Sequence, residues 1–349
     1  MATSITTPVT TLLGVKHPIM LAGMSGVSNG TLAAAVANAG GFSVIGGYKC
    51  TPEQLRQIIA DMKDKFSDPG LPFGIDIALP KIGGSARKTN QDCTNGRLDE
   101  LIDITIQSGA KLFVSSSGVP PKHIIERLHN AGIFIMNLVG HPKHAVKALD
   151  AGVDMVCAQG GEGRGQVGNI TTSILLPAVA EVAQKYKPPM LQGSTALVVA
   201  GGGISCGKSL ASALVQGAGA VWICTRFVAS AEANASEAAK QAILDCDYDS
   251  TEKTVVLSGR PLRMKTNDYI REWHARPADI DRLCSQGVVP MDYDIENGRP
   301  VDLPVFMGQV AGSITQILPV QTIVNNMVDE AAARLRVGGN FLTQERSKL

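Results

Sequence analysis

The 349-residue sequence predicts an α/β fold, a (β/α)8 TIM barrel followed by a mostly helical C-terminal extension or cap. Three observations favour this fold. Eight short apolar runs alternate with segments of helical period, a pattern typical of βαβ units and a parallel sheet. Small-residue turns recur between the helical segments and the runs that follow them. The length also suits one barrel of roughly 250 residues with an added segment.

The eight predicted strands are short and rich in Val, Ile and Phe. They cover residues 18–22, 42–46, 73–79, 111–115, 133–139, 153–159, 196–201 and 220–225. The helical stretches between them carry Ala, Leu and Ile at intervals of three and four residues, which places these side chains on one helix face. They cover residues 31–39, 52–66, 98–108, 120–130, 142–151, 172–185 and 209–216.

Five of the predicted helices end in a turn that contains glycine. The turns are at residues 38–41, 108–110, 130–132, 150–152 and 216–219. A glycine just past a helix end adopts the left-handed cap conformation at little cost. This repetition favours a closed barrel, and a doubly wound open sheet is the alternative.

We expect two parts in the chain, a barrel over residues 1–249 and a helical cap over residues 250–349. A helical stretch that reaches about residue 245 is expected to close the barrel. Residues 80–96 are polar and glycine-rich, so they look like a long insertion after the third strand that could act as a lid.

The composition indicates a folded protein that acts on a small molecule. Apolar residues make up 44% of the chain and charged residues 18%, which allows a sizeable core. The chain has 32 basic and 31 acidic residues, a net charge of +1, and 4% aromatic residues. Nucleic-acid binding is therefore not expected, because it needs a basic field and stacking surfaces. The sequence leaves the oligomeric state open.

Targeting signals and cysteines bear on the compartment. The first eleven residues lack the features of a signal peptide, and no run of about 20 apolar residues occurs, so we expect no membrane association and no secretion. The seven cysteines show no ligand or disulfide spacing, so we expect no metal and a reducing compartment. The terminal Ser347-Lys348-Leu349 is the address read by the peroxisomal import receptor, which predicts import into peroxisomes. Without that import, we expect a cytoplasmic protein.

Candidate site residues follow the strand ends, where barrel enzymes place their chemistry. The small residues Ala22, Gly23 and Met24 follow the first strand, so a flat ring could lie against their backbone, with the Met24 amide near a flavin ring nitrogen. Gly202-Gly203 and Cys224-Thr225 end the seventh and eighth strands, between which barrels often bind phosphate. The loop after the sixth strand, residues 158–168, contains five glycines and suggests close backbone approach to a ligand.

Taken together, these motifs resemble the nitronate monooxygenase family, formerly called 2-nitropropane dioxygenases. FMN-type enoyl-acyl carrier protein reductases share the same barrel. The resemblance spans about the first 230 residues through segments 18–24, 38–47, 144–152, 156–168, 200–204 and 224–227. Residues 258–263, followed by Glu272-Trp273, look like the fungal branch of the family.

The resemblance implies FMN as the cofactor and a set of residues that bind it. Ala22, Gly23 and Met24 would lie along the flavin ring, and Gln159 would hydrogen-bond the ring or the ribityl chain. Asp76 falls where the family usually has an asparagine facing the flavin pyrimidine. The cofactor-binding residues implied are Ala22, Gly23, Met24, Asp76, Gln159, Gly165, Gly202, Gly203, Cys224 and Thr225.

The catalytic residues are where this sequence departs from the family. The family motif Gln-Gly-x-Glu-Ala-Gly-Gly-His ends in the histidine that removes a proton from a nitroalkane, and Gln166 holds that position here. Glutamine cannot act as a base. His141, directly after the fifth strand, is therefore a candidate for the base or a substrate contact. Arg164, which replaces a glycine of the motif, could clamp an anionic substrate.

Three functions remain in view at this point. The first is an FMN oxidase or monooxygenase that oxidises a small anionic substrate with O2 as electron acceptor. The second is an FMN- and NAD(P)H-dependent enoyl-type reductase. The third is a flavin-binding protein whose catalysis is altered or lost.

Overall fold

A computed structural model describes residues 4–79, 88–89 and 92–342 of the chain. Eight parallel strands form the barrel that the sequence predicts. They are β1 (Ile19–Leu21), β2 (Ser43–Gly46), β3 (Phe73–Asp76), β4 (Leu112–Ser115), β5 (Phe134–Val139), β6 (Met155–Gln159), β8 (Leu197–Gly201) and β9 (Ala220–Ile223). Three short strands lie outside the barrel, β7 (Gly165–Gln166), β10 (Thr251–Thr254) and β11 (Leu262–Lys265).

The barrel is closed between its first two strands. The eight strands lie side by side in the order β1-β9-β8-β6-β5-β4-β3-β2, and this order alone would leave β1 and β2 as edges. Instead, the Leu21 N–H donates to the Phe42 carbonyl at 2.9 Å, and the Phe42 N–H donates to the Ile19 carbonyl at 2.8 Å. The prediction of a closed barrel is therefore confirmed, and the open doubly wound sheet is excluded.

Helices surround the barrel and continue through the C-terminal segment. The first nine are α1 (Pro8–Leu13), α2 (Gly30–Asn38), α3 (Pro52–Lys63), α4 (Leu98–Gln107), α5 (Lys122–Asn130), α6 (Pro142–Asp150), α7 (Thr172–Ala183), α8 (Gly207–Val215) and α9 (Thr225–Val228). Five more follow, α10 (Glu237–Leu244), α11 (Asp268–His274), α12 (Pro277–Gln286), α13 (Pro290–Glu296) and α14 (Val320–Gly339).

Each of the five predicted glycine turns is present between a helix and a strand. Gly40, Gly109, Gly132, Gly152 and Gly217 all have positive φ, between 74° and 103°. Residues with a Cβ rarely adopt this conformation, so glycine allows the chain to leave each helix and enter the next strand directly. These turns keep the barrel connections short and all strands parallel.

The C-terminal segment contains a small sheet that the sequence did not predict. β10 pairs antiparallel with β11, and β11 pairs antiparallel with β7 from the glycine-rich loop. Helices α11 and α12 pack on this sheet through a second apolar cluster that includes Met264, Ile270 and Trp273. The cap is thus a mixed α/β layer, joined to the barrel through the loop after β6.

The last helix does not belong to that layer. α14 packs against α8 and α2 on the outside of the barrel and fills the position of an eighth wall helix. The expectation that a helix ending near residue 245 closes the barrel is therefore wrong. The proposed division into residues 1–249 and 250–349 concerns folding units and stays a prediction. The predicted insertion at residues 80–96 lies largely outside the described residues.

Glu330 connects α14 to the barrel wall. Its carboxylate accepts a hydrogen bond from the Gly207 N–H at the start of α8 over 2.8 Å, and Lys208 Nζ lies 3.9 Å from it. A carboxylate at a helix N-terminus satisfies an otherwise unpaired amide and interacts favourably with the helix dipole.

We predict that Glu330→Ala lowers the free energy of unfolding by about 1 kcal/mol, because the start of α8 loses its cap. Urea unfolding measures the change. Lys208→Ala is the matched control: the Lys208 side chain is 65% exposed, so this change should cost less than about 0.5 kcal/mol. Equal effects of the two substitutions would show that the cap is not the important contact.

Candidate active site

The predicted site residues cluster where the barrel strands end. In a parallel barrel all carboxyl ends meet at one rim. Asp76 and Gln159 are the last residues of β3 and β6, and residues 22–24 directly follow β1. Residues 202–203 and 224–225 directly follow β8 and β9. The fold thus brings segments distant in sequence to one opening.

One cavity lies over the ends of β6, β8 and β9 and, with the solvent at its open mouth included, measures about 240 Å³. Six of the predicted residues line it, namely Gln159, Arg164, Gly202, Gly203, Cys224 and Thr225. Gly202 and Gly203 have φ values of 96° and 70°, which turn the chain sharply after β8. Among the described residues, no acceptor is found for their backbone N–H groups. Two unpaired amides in one turn suit an anion.

Gln159 is buried at the edge of this cavity. Its side chain is 4% exposed and lies against Gly163 and Gly201, where a Cβ on either glycine would clash with the carboxamide. Its Oε1 atom has no hydrogen-bond partner among the described residues. A buried polar atom left without a partner costs about 1–3 kcal/mol, so this oxygen is a site for a donor on a bound molecule.

Asp76 lies beside the residues that follow β1. A Cβ at Gly23 would come within 2.6 Å of Asp76 Oδ2, so only glycine leaves room for this carboxyl. The Ser116 N–H donates to Asp76 Oδ1 at 3.2 Å. Burial raises the pKa of Asp76 from 3.8 to about 7, and the hydrogen bonds from Ser116 oppose this rise only in part. The Asp76 carboxyl is thus often protonated near neutral pH.

Other residues near β1 are held by local hydrogen bonds. The Met24 N–H, which we expected near a flavin ring nitrogen, donates instead to Ser28 Oγ at 3.0 Å. Ser28 Oγ in turn donates to the Ala22 carbonyl at 2.5 Å. These two hydrogen bonds connect Ser28 to the backbone at residues 22–24, where Ala22 and Met24 are buried and Gly23 is half-buried.

The C-terminal segment fixes the glycine-rich loop after β6. Gly165 and Gln166 form β7 and pair with Arg263 and Leu262 of β11. Arg263 Nε donates to the Gly161 carbonyl at 2.9 Å. The shape of a loop with five glycines thus depends on hydrogen bonds from residues about 100 positions later.

Arg164 and Gln166 line different cavities. Gly165, between them, has a φ of 72°, which breaks the alternation that would place residues i and i+2 on one side of a strand. Arg164 lines the 240 Å³ cavity, and Arg164 Nε donates to the Phe306 carbonyl at 3.0 Å. Gln166 lines a second cavity of about 560 Å³ over the ends of β2, β3 and β4.

In the second cavity, Gln166 forms a cluster with Ser117 and Arg260. Gln166 Oε1 accepts from Ser117 Oγ at 3.3 Å and from Arg260 Nη1 at 3.4 Å. Arg260 Nη1 also donates to Ser117 Oγ. Lys49 lines the same cavity, as does the carboxylate of Asp292. The sequence did not indicate Ser117 or Arg260 as site residues, because a tertiary contact across 94 residues leaves no local pattern.

His141 has a local structural contact. It is the N-cap of α6, and its Nδ1 accepts a hydrogen bond from the Lys143 N–H at 3.1 Å. It lines neither of the two cavities described above. The role of His141 as a base or substrate contact stays a prediction. Among the described residues, no group of three or more His, Cys, Asp or Glu is placed to hold a metal ion, and no helix is long and apolar enough to cross a membrane.

We predict that Asp76→Asn stabilises the protein without ligand, and that this gain depends on pH. The folded state retains a proton on Asp76 that the unfolded chain releases near pH 4, so wild-type stability falls as pH rises from about 4 to about 7. Asparagine has no proton to lose. The difference in unfolding free energy should grow over this window to at most about 4 kcal/mol, at about 1.4 kcal/mol per pKa unit, and stay constant above it. Urea unfolding at several pH values measures it.

Asp281→Asn, at an exposed position on α12, is the control for this experiment. A gain for Asp76→Asn that is the same at acid and neutral pH would contradict a buried, protonated carboxyl.

Comparisons with known proteins agree with the barrel and identify the family. The model of the nitronate monooxygenase family matches residues 6–330. A Staphylococcus saprophyticus protein named "Probable nitronate monooxygenase" is 30% identical over 316 residues, which cover 84% of this chain and 85% of the relative.

Two solved structures have the same fold. FabK from Thermotoga maritima superposes with a TM-score of 0.78 and 27% identity, covering 97% of this chain and all of that chain. Nitroalkane oxidase from Streptomyces ansochromogenes has a TM-score of 0.77, covers 95% of this chain and 99% of its own, and at 24% identity supports the fold alone. The chain therefore belongs to the nitronate monooxygenase family, a family of flavin-dependent oxidoreductases.

Proposed function

We propose that this chain binds FMN at the barrel rim and oxidises a small substrate that is already anionic, of the nitronate type, with O2 as electron acceptor. The observation that carries this proposal is the cluster of Gln166, Ser117 and Arg260 in the second cavity. It presents a cation and hydrogen-bond donors in a place where the family, as we align it, has a basic histidine. Arg260 comes from residues 258–263, the segment whose sequence resembles the fungal branch.

The residues at the rim suit FMN. The unpartnered Oε1 of buried Gln159 offers an acceptor to the flavin ring or ribityl chain, and the unpaired amides of Gly202 and Gly203 suit a phosphate. Residues 22–24 would support the ring, with Asp76 at its pyrimidine edge. When bound, FMN would accept two electrons from the substrate and deliver them to O2. We propose as FMN-binding residues the same ten that the resemblance implies. Among them, Gly165 would act by holding the loop in place through the pairing of β7 with β11.

The role of Asp76 follows from its protonation. A carboxyl group that keeps its proton has one donor and one acceptor, as an asparagine carboxamide does. In its protonated form, Asp76 would therefore take the place of the family's asparagine beside a flavin without adding a negative charge.

Arg260 would bind the anion and Gln166 would orient it. An arginine forms two parallel hydrogen bonds to a carboxylate or nitronate, and these are stronger than neutral ones. Gln166 can donate a hydrogen bond but cannot accept a proton, so no step in this site begins with proton removal by residue 166. We therefore propose that the substrate has lost its proton before it binds.

We also propose that Ser347-Lys348-Leu349, which lies outside the described residues, directs the protein to peroxisomes through the import receptor. An enzyme that consumes oxygen and forms peroxide suits a compartment that contains catalase. Replacing Leu349 in a fluorescent fusion, and following loss of punctate fluorescence, is the direct check.

The first functional prediction concerns the form of the substrate. In the absence of oxygen, propyl-2-nitronate should bleach the flavin absorbance of the FMN-loaded protein, whereas neutral 2-nitropropane should not, because residue 166 is not a base. Gln166→His should gain activity on the neutral nitroalkane. Bleaching by NADPH without nitronate would favour the enoyl-type reductase instead, and no response to either reagent would favour a flavin-binding protein without this chemistry.

The second functional prediction concerns Arg260. Arg260→Gln should raise the KM for nitronate at least about tenfold with a much smaller change in kcat, because one charge-assisted hydrogen-bond donor is lost from substrate binding. Arg282→Gln, an exposed arginine on α12 that pairs with Asp279 at 3.2 Å, is the control. An unchanged KM in Arg260→Gln would remove this residue from substrate recognition.

A further inference from the structure

Arg164 is a cation beside the backbone amides of Gly202 and Gly203, and no carboxylate of the described residues is paired with it. Arg164 Nε donates to the Phe306 carbonyl, and the guanidinium lies 5.9 Å from the centre of the Phe306 ring. Among the described residues, its two terminal nitrogens have no hydrogen-bond partner and form no ion pair. Partial burial lowers the pKa of Arg164, but a guanidinium begins so far above neutral pH that it stays charged.

The nearest acidic side chain in the loop is engaged elsewhere. Both Glu162 carboxylate oxygens accept from the Thr172 N–H at the start of α7, at 3.0 and 3.1 Å. Glu162 also interacts electrostatically with Arg263 and Lys253. The negative charge of Glu162 is thus balanced by Arg263 and Lys253. The positive charge of Arg164 can therefore be neutralised by an anion bound in the cavity.

The position of Arg164 decides between a substrate and a cofactor role. It lines the cavity with Gly202, Gly203, Cys224 and Thr225, and it does not line the cavity with Gln166 and Arg260. The turn at Gly165 causes this separation. The position of Arg164 therefore favours a cofactor role over the substrate clamp expected from the sequence.

We infer that Arg164 binds the phosphate group of the flavin, as a charged anchor supplied by this chain where the family motif has glycine. The guanidinium donates hydrogen bonds to phosphate oxygens that also face the amides of Gly202 and Gly203. The contact with Phe306 holds Arg164 in place from the C-terminal segment. This inference rests on the proposed binding of FMN.

The consequence is a cofactor preference that depends on one side chain. A phosphate dianion gains strongly from a guanidinium in a partly buried cavity, whereas riboflavin, which lacks the phosphate, gains nothing from it. Removing the charge should therefore weaken FMN binding and leave riboflavin binding unchanged. FMN binding by the wild type should also weaken as salt is added, more steeply than in a variant without the charge.

The experiment measures flavin affinity of apoprotein by quenching of flavin fluorescence, with FMN and with riboflavin. Arg164→Gln should weaken FMN binding about 10- to 100-fold, and Arg164→Lys should weaken it less, because a lysine keeps the charge but not the paired donors. Lys253→Gln removes a nearby positive charge that does not line the cavity, and it should leave FMN affinity unchanged. Equal FMN affinity in Arg164→Gln and the wild type, or an equal loss for riboflavin, would overturn the inference.

A second measurement separates this inference from the proposed function. Inorganic phosphate should raise the Tm of the wild-type apoprotein and should not raise that of Arg164→Gln. If phosphate binds only when Arg164 is present and no flavin binds, the anion site is supported and FMN is contradicted as the cofactor. If neither flavin nor phosphate binds the wild type, both the proposed cofactor and the role of Arg164 are excluded.

Discussion

Hydrogen bonds between the glycine-rich loop and the C-terminal segment are the constraint on which the candidate site depends. Glycines give a loop few side chains to pack, so its conformation must be fixed through its backbone. Residues 161–167 receive that support from β11, from Arg263, from the Pro261 carbonyl and from residues 306–309. The same contacts direct Arg164 toward one cavity and Gln166 toward the other. The C-terminal segment therefore shapes the site even though the barrel supplies most of its residues.

The rim of the barrel contains buried polar groups whose local partners are incomplete. Gln159 Oε1 has no donor, Asp76 lies in surroundings that favour its neutral form, and Arg164 has no counter-ion among the described residues. Each arrangement is unfavourable in the protein alone. Their concentration at one rim is what separates this opening from an ordinary packed barrel end, because one ligand with a donor edge and an anionic group would satisfy all three.

The parts of this structure that were predictable from the sequence are those set by short-range pattern. All eight barrel strands and the five glycine turns were recognised, because periodicity of two or 3.6 residues and a glycine after a helix are local signals. Residues 22–24, 202–203 and 224–225 were named as candidates for the same reason, since they directly follow strands, whereas Asp76 and Gln159 were named through the resemblance to the family. The small sheet was missed, because β7 has two residues and pairs with a strand about 100 residues away. Ser117 and Arg260 were missed because their contacts with Gln166 also join residues far apart in sequence. The side of the loop that Arg164 faces was not predictable either, because it depends on the φ angle of Gly165.

The placement of α14 has a consequence for how the chain acquires its structure. The eight barrel strands are complete by residue 223, but the groove between α8 and α2 stays open until residues 320–339 cover it. During synthesis, about 100 residues must leave the ribosome after the last strand before the wall is finished, and the apolar sides of two helices are exposed in that interval. Until the last helix docks, we expect a nascent barrel of this kind to present apolar surface of the type that chaperones bind.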